Sequence, residues 1–184
     1  MRVISGSAAR RKLYTPEGMD VRPTTDRIKE TLFNILAPDI ADTEFLDLFS
    51  GSGQIGIEAI SRGAKKAVFV DNSSISIGCL KKNLDITGFN DKAEVLRMDA
   101  ASAVGRLASS GKKFDIIFMD PPYEKGIEEE VIYAIGRTGI MKEDGMIIVE
   151  ASSRTGFDYI DETPFEITRE KKYGSNKHLF IAYK

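Results

Sequence analysis

The chain has 184 residues, a net charge of −2, and 42% apolar residues, enough for one domain with an ordinary core. No apolar run is long enough to cross a bilayer, and Met1-Arg-Val-Ile-Ser-Gly lacks the apolar core of a secretion signal, so no membrane role and a cytoplasmic location are expected. The single Cys79 excludes an internal disulfide and agrees with a reducing compartment.

Charge is unevenly placed. Residues 1–29 hold seven basic and three acidic groups, leaving +4 there and −6 on the remainder. A basic arm on an acidic body points to a polyanionic partner. Residues 1–22 read as that arm: Val3-Ile4 and Leu13-Tyr14 are short apolar pairs flanking a Ser/Gly/Ala/Arg turn, a hairpin pattern lying outside the core. Such a hairpin is marginal alone and must lean on the body or on a partner.

Arg22-Pro-Thr-Thr-Asp26 then reads as a helix start, with Ile28, Leu32, Ile35 and Leu36 on one face and Pro38 as the stop. From residue 44 strands and helices alternate. Glu44–Phe49 is the first strand, followed by Gly51-Ser-Gly53-Gln-Ile-Gly56 and a helix to about Arg62, stopped by Gly63. Ala67–Val70, Ala93–Leu96, Phe114–Met119 and Met146–Val149 are the next strands. The intervening helices cover about 74–86 (stopped by Gly88), 100–108 and 127–137. Phe165–Glu170 and His178–Tyr183 form a terminal antiparallel pair about Gly174-Ser-Asn176. This order predicts an α/β fold, a doubly wound, mostly parallel sheet with ligands at the carboxyl ends of its strands.

The candidate site residues follow those strand ends. The glycines of G-x-G-x-x-G let a nucleotide-type ligand approach backbone at a helix N-terminus. Asp71 lies 20 residues after Gly51, the spacing of an acid that grips ribose hydroxyls, and Asn72 adds a polar contact. Asp99 can accept from an adenine amino group, or cap the helix beginning at Ala100, or do both. Asp120-Pro121-Pro122-Tyr123 is the sharpest signal. Two prolines stiffen an extended turn after a buried strand, fixing acceptors beside an aromatic ring. That set suits an exocyclic amino group on a flat base, with Tyr123 stacking. His178 has no Cys or second His near it, so no metal is expected and a surface or hydrogen-bonded strand histidine is the default. Cys79 reads as packing, and Glu128–Glu130 as a solvated helix N-terminus.

At these residues the chain resembles the class I S-adenosylmethionine-dependent methyltransferases, in their Rossmann-like form. Asp47-Leu-Phe49-Ser-Gly-Ser-Gly53 is similar to their cofactor loop, and Asp120-Pro-Pro-Tyr123 to the motif of those acting on exocyclic amines. Arg22-Pro-Thr-Thr-Asp-Arg27, Glu30-Thr-Leu-Phe-Asn34 and Gly56-Ile-Glu-Ala-Ile-Ser-Arg-Gly-Ala64 extend the resemblance to the bacterial 16S rRNA guanine-N2 methyltransferases, across nearly the whole chain. The resemblance implies S-adenosyl-L-methionine as cofactor and 16S rRNA, in a partly assembled small ribosomal subunit, as substrate. It implies cofactor contacts from Asp47, Phe49, Gly51, Gly53, Asp71, Asn72, Asp99 and Ala100. It also implies a target-base site at Asp120, Pro121 and Tyr123, on a methyltransferase domain spanning 23–184. Arg10, Arg11, Lys12 and Arg22 of the arm are the candidate RNA contacts, joined by Lys171, Lys172 and Lys177 of the terminal hairpin. Two positions depart from the family pattern: the hairpin turn is Ser7-Ala-Ala-Arg-Arg11, where relatives tend to have a glycine before the second basic residue, and Tyr123 stands where many have Phe. Competing readings are a DNA adenine-N6 methyltransferase, a nicotinamide oxidoreductase, and a non-catalytic RNA-binding assembly factor.

Overall fold

A computed structural model describes residues 1–15, 26–122 and 126–184. The helix start at 22–25, with Arg22, and the aromatic Tyr123 lie outside the described residues. Among the described residues five α-helices and seven strands alternate as expected: α1 (Asp26–Leu36), β1 (Glu44–Asp47), α2 (Gln54–Ser61), β2 (Lys66–Asp71), α3 (Ser74–Thr87), β3 (Ala93–Arg97), α4 (Ala100–Ser109), β4 (Phe114–Met119), α5 (Ile127–Thr138), β5 (Met141–Ser152), β6 (Phe165–Tyr173) and β7 (Asn176–Tyr183). The sheet order is β3-β2-β1-β4-β5-β7-β6. The first five strands in that order run parallel, and β7 pairs antiparallel with both β5 and β6.

Side chains alternate across each strand, so each face of the sheet builds its own core. On one face Phe45, Phe69, Ile116, Phe118, Ile148 and Phe180 pack under α1, α2 and α3. On the other, Leu46, Val70, Ile117, Met119, Val149 and Leu179 pack under α4 and α5. Gly56 sits where α2 crosses the first face: a Cβ there would come within 2.3 Å of Phe69 Cε1.

The amino-terminal hairpin forms, with Arg2 bridged to Lys12, but it is not an arm held clear of the core. Val3, Ala8 and Leu13 are buried in the α1–α3 layer. The backbone N–H groups of Ile4 and Ser5 donate to the Glu58 carboxylate at 2.8 and 3.0 Å. Tyr14 and Asn83 exchange two hydrogen bonds. Gly6, at φ 86°, lies so close to α2 that a Cβ would meet Ser61 O at 1.8 Å. The hairpin's alternation was too short to mark an apolar face, so only these long-range partners reveal its place in the core.

Two strand ends differ from expectation. The first strand stops at Asp47, because Leu48 to Gly53 turn under hydrogen bonds such as Gly53 N–H to Ser50 O, 2.6 Å. β5 begins at Met141, five residues early. Its polar start, Lys142-Glu-Asp-Gly145, pairs beside β4 through a register shift between Phe114 and Ile116. β6, at the sheet edge, is charged and exposed along most of its length, which blocks edge-to-edge pairing.

Candidate active site

The carboxyl ends of the parallel strands meet at one edge of the sheet, and each has an acid at its last residue or within two residues of it. Gly51 takes φ 51° and Gly53 φ 81°, a left-handed backbone that glycine accepts without steric cost. Their roles separate. A Cβ on Gly51 would meet nothing within 4 Å, so here the loop leaves its backbone bordered by open space. A Cβ on Gly53 would strike Leu80 at 2.2 Å, so that glycine, like Gly56, answers to internal packing.

Asp71 locks the loop in place. Its Oδ2 accepts from Gly51 N–H at 2.9 Å and its Oδ1 from Ser73 N–H at 2.8 Å. Each carboxylate oxygen keeps a second lone pair for a hydroxyl donor. Asn72 is exposed beside it. Asp99 caps α4, accepting from Ser102 N–H at 2.8 Å; this charge-assisted bond holds its carboxyl below the usual range. It is exposed, and Ala100 is buried behind it. Phe49 packs half-buried against the α4–α5 layer.

Asp47 is the least comfortable acid. It is 1% exposed, with Oδ2 accepting from Gly56 N–H at 3.2 Å and Oδ1 without a partner among the described residues. Burial pushes its carboxyl up to about 7, with a smaller push from Asp71, against the N–H donors of Gly56 and Phe49. Asp120 follows β4, flanked by buried Pro121 and exposed Pro122. Burial, then the negative charges of Glu150 and Asp47, raises its proton affinity well above the ordinary carboxylate range. Glu150 was not singled out from the sequence, yet the pattern that marked Asp71 and Asp120, an acid directly after an apolar strand run, also marks it after Met146–Val149.

His178 is not a surface residue. It is buried, and its Nε2 lies 3.1 Å from Glu150 Oε2. Glu128 is likewise buried rather than solvated, whereas Glu129 and Glu130 are exposed. Cys79 is buried packing.

The cationic candidates divide. Arg10 and Lys12 are exposed, Arg10 with φ 69°, a left-handed conformation unusual for a side-chain-bearing residue. Arg11 donates through Nη1 to Ile86 O at 2.8 Å, tying the hairpin to α3. Lys171 pairs across the sheet with His178 and shares its face. Lys172 points to the other face, 3.1 Å from Glu170. Lys177 is nearly buried, between Glu170 and the Phe157 ring, and offers no free charge to a phosphate.

No group of three or more metal-ligating side chains occurs among the described residues. No helix among them is long and apolar enough to cross a membrane. Two concavities of about 220 and 560 Å³, around Phe180 and around Phe157, include no residue of the strand-end site.

Residues 1–182 match the protein family described as Conserved hypothetical protein 95. The YlbH protein of Bacillus subtilis (strain 168) is 38% identical over 176 residues, covering 95% of this chain and 94% of that one. The Ribosomal RNA small subunit methyltransferase D of Escherichia coli (strain K12) is 37% identical over 184 residues, 100% of this chain and 88% of the relative. The solved structure of the yhhF protein of Escherichia coli superposes with a TM-score of 0.87 at 36% identity, covering 100% of this chain and 98% of that one. With the glycine loop and the Asp-Pro-Pro corner at one sheet edge, and with these relatives matched along its length, the chain belongs to the Conserved hypothetical protein 95 family, that of the bacterial small-subunit rRNA methyltransferases, and has the class I methyltransferase fold.

Proposed function

We propose that this protein transfers a methyl group from S-adenosyl-L-methionine to the exocyclic N2 of one guanine in 16S rRNA, presented by a partly assembled small ribosomal subunit in the cytoplasm. The observation that carries the reading is the meeting, at one sheet edge, of an open glycine loop clamped by Asp71 and a proline-stiffened Asp120 at the end of the adjoining strand. The relatives named for small-subunit rRNA methylation support the substrate.

The residues present fit the cofactor. Asp47 Oδ1 is a buried carboxylate oxygen lacking a partner among the described residues, suited to a cationic group. Gly51 leaves open space, and Asp71 has lone pairs to spare for ribose hydroxyls. Asp99, Asn72, Ala100 and Phe49 would border the adenine. S-adenosylmethionine, when bound, supplies a methyl already activated by its sulfonium.

The protein's own task is then placement, which supplies roughly 7–11 kcal/mol in well-oriented reactions. An exocyclic amine on a purine is a weak nucleophile because its lone pair is delocalised into the ring. Asp120 Oδ and the Pro121 carbonyl accept its two N–H bonds, and Tyr123 stacks on the base, so the lone pair points out of the ring plane. As nitrogen gains positive charge, the Asp120 carboxylate stabilises it. One N–H bond then breaks, its electrons stay on nitrogen, and the proton goes to Asp120. The base must leave its stack to enter, which favours a loop or helix end. Residues 1–22 would contact RNA through Arg10, Lys12 and Arg22, with Lys171 at the far edge. Arg11 and Lys172 are the weaker candidates, being already engaged.

Tritiated methyl transfer to small subunits, naked 16S rRNA and DNA, followed by mapping of the modified nucleotide, tests this. Label on a guanine N2 of the subunit is expected. Label on DNA adenine, or none on any substrate, overturns it.

A further inference from the structure

The mechanism above leaves a buried acid and its partners unused. Met119 pairs with Val149, so Asp120 and Glu150 are the next residues up adjoining strands β4 and β5. Glu150 pairs with His178 across β5 and β7, and His178 with Lys171 across β7 and β6. Side-chain alternation puts Glu150 and His178 on the face of Ile148 and Phe180, and Asp120 two residues beyond Phe118 of that face. The His178 ring meets the Phe118 ring edge-on, centroids 6.4 Å apart. The result is a row across the sheet: Asp120, Glu150, His178, Lys171.

Glu150 is 3% exposed and held from the side away from Asp120. His178 Nε2 lies 3.1 Å from its Oε2, and Asn176 Nδ2 donates to its Oε1 at 3.3 Å. His178 Nδ1 has no partner among the described residues, and the Tyr173 ring stands 5.0 Å from the imidazole, near edge-on. A buried carboxyl group is costly unless hydrogen-bonded, and the contacts from His178 and Asn176 hold this one in position. The charged groups bearing on Asp120 are Glu150 of β5 and Asp47 of β1, with His178 of β7 and Lys171 and Tyr173 of β6 farther along the same face.

We propose that Glu150, held by His178 and Asn176 next to Asp120 on the adjoining strand, is a positioning residue that tunes Asp120 as the acceptor facing the target amine. This rests on the methyl-transfer reading above. The proton lost from the methylated nitrogen needs a base that is ionised before transfer and willing to hold a proton after it. An adjacent carboxylate raises proton affinity by disfavouring a second negative charge, and Glu150 does so for Asp120 without touching substrate. The shift worked by burial and by Glu150 agrees. His178 acts one step further back. Without that contact, Glu150 is no longer held in place beside Asp120.

The test combines pH profiles with a readout that needs no turnover. Wild type, E150Q, H178Q and the double variant are assayed for kcat and KM between pH 5.5 and 9, and Asp120 is followed by carbon-13 NMR titration of its carboxyl carbon, assigned with D120N. The expected result is that E150Q moves the acidic limb and the Asp120 midpoint down by about half a pH unit or more. H178Q moves both the same way, and the double variant matches E150Q alone. KM for the cofactor stays within about threefold, since neither residue lies at the glycine loop. An Asp120 midpoint unmoved in E150Q overturns the proposal, as does an H178Q effect of equal size with and without Glu150. A wild type inactive on rRNA whose Asp120 midpoint still moves in E150Q sinks the substrate reading and leaves the electrostatic one standing.

Discussion

Lys29 and Glu58 meet at 3.6 Å with no exposure of either side chain, joining α1 to α2 beneath the amino-terminal hairpin. The pair is asymmetric. Glu58 also accepts from Arg62 Nε at 2.8 Å and from the Ile4 and Ser5 backbone, whereas Lys29 has one further acceptor, Arg2 O at 2.6 Å. Burial holds the Lys29 ammonium below its usual proton affinity, with Glu58 pulling it back up. Removing Glu58 therefore strands a buried cation and frees two hairpin amides. We expect E58A to cost roughly 3–5 kcal/mol and K29M clearly less. Urea unfolding measures the difference, and hydrogen exchange at Ile4 and Ser5 should accelerate in E58A alone.

Asp120 should be indispensable to turnover and dispensable to cofactor binding. D120N keeps the shape of the corner and removes the acceptor charge. A fall in kcat of about 10²–10⁴ is expected, with cofactor affinity within a few-fold of wild type. Single-turnover methyl transfer with parallel cofactor titration gives both numbers. Retained turnover removes Asp120 from the reaction.

What could be read from the sequence was local. The Gly51–Gly56 turn, the Gly88 stop, and the Asp99 cap each depend on neighbours within a few residues, and all formed where the pattern placed them. The buried polar contacts were not local. Glu58 and Ser61 reach 53 to 56 residues back to the hairpin, and Asn83 reaches 69 to Tyr14. A buried Lys29 is indistinguishable in sequence from a solvated one, because its burial is decided by what docks above it. His178 lies 28 residues from Glu150, and only strand pairing brings them together.

The Asp47 carboxyl, raised by burial to about 7, makes a signed prediction for stability. Between the unfolded value near 3.8 and about 7, the folded form holds a proton that the unfolded form has released, so stability falls as pH rises through that window. The whole effect is on the order of 4 kcal/mol. D47N cannot ionise, so its urea midpoint should decline less than that of wild type from pH 4.5 to 7.5. Parallel curves would contradict the assignment.

Arg10 occupies a left-handed conformation that glycine adopts without steric cost. R10G should stabilise the protein by about 1 kcal/mol, relieving the Cβ penalty, while R10A should not. Both should weaken RNA binding and flatten its salt dependence by about 0.7 if Arg10 meets a phosphate. Denaturation and filter binding across a salt series separate strain from charge.

Neighbouring Lys171 and Lys172 should behave differently. Lys171 is on the face of Asp120, and Lys172 is paired with Glu170 on the opposite one. K171A is expected to lower RNA affinity severalfold and reduce the salt slope; K172A should do neither. Equal effects would mean that RNA wraps the edge of the sheet.

β7, the last strand in chain order, is laid between β5 and β6. During synthesis, therefore, β5 waits with one side open until β7 clears the exit tunnel, and β6 has no neighbour to join before then. Such a late, non-local closure makes the nascent intermediate prone to sticking. It also means that the imidazole beside Glu150 takes its place only once β7 has docked.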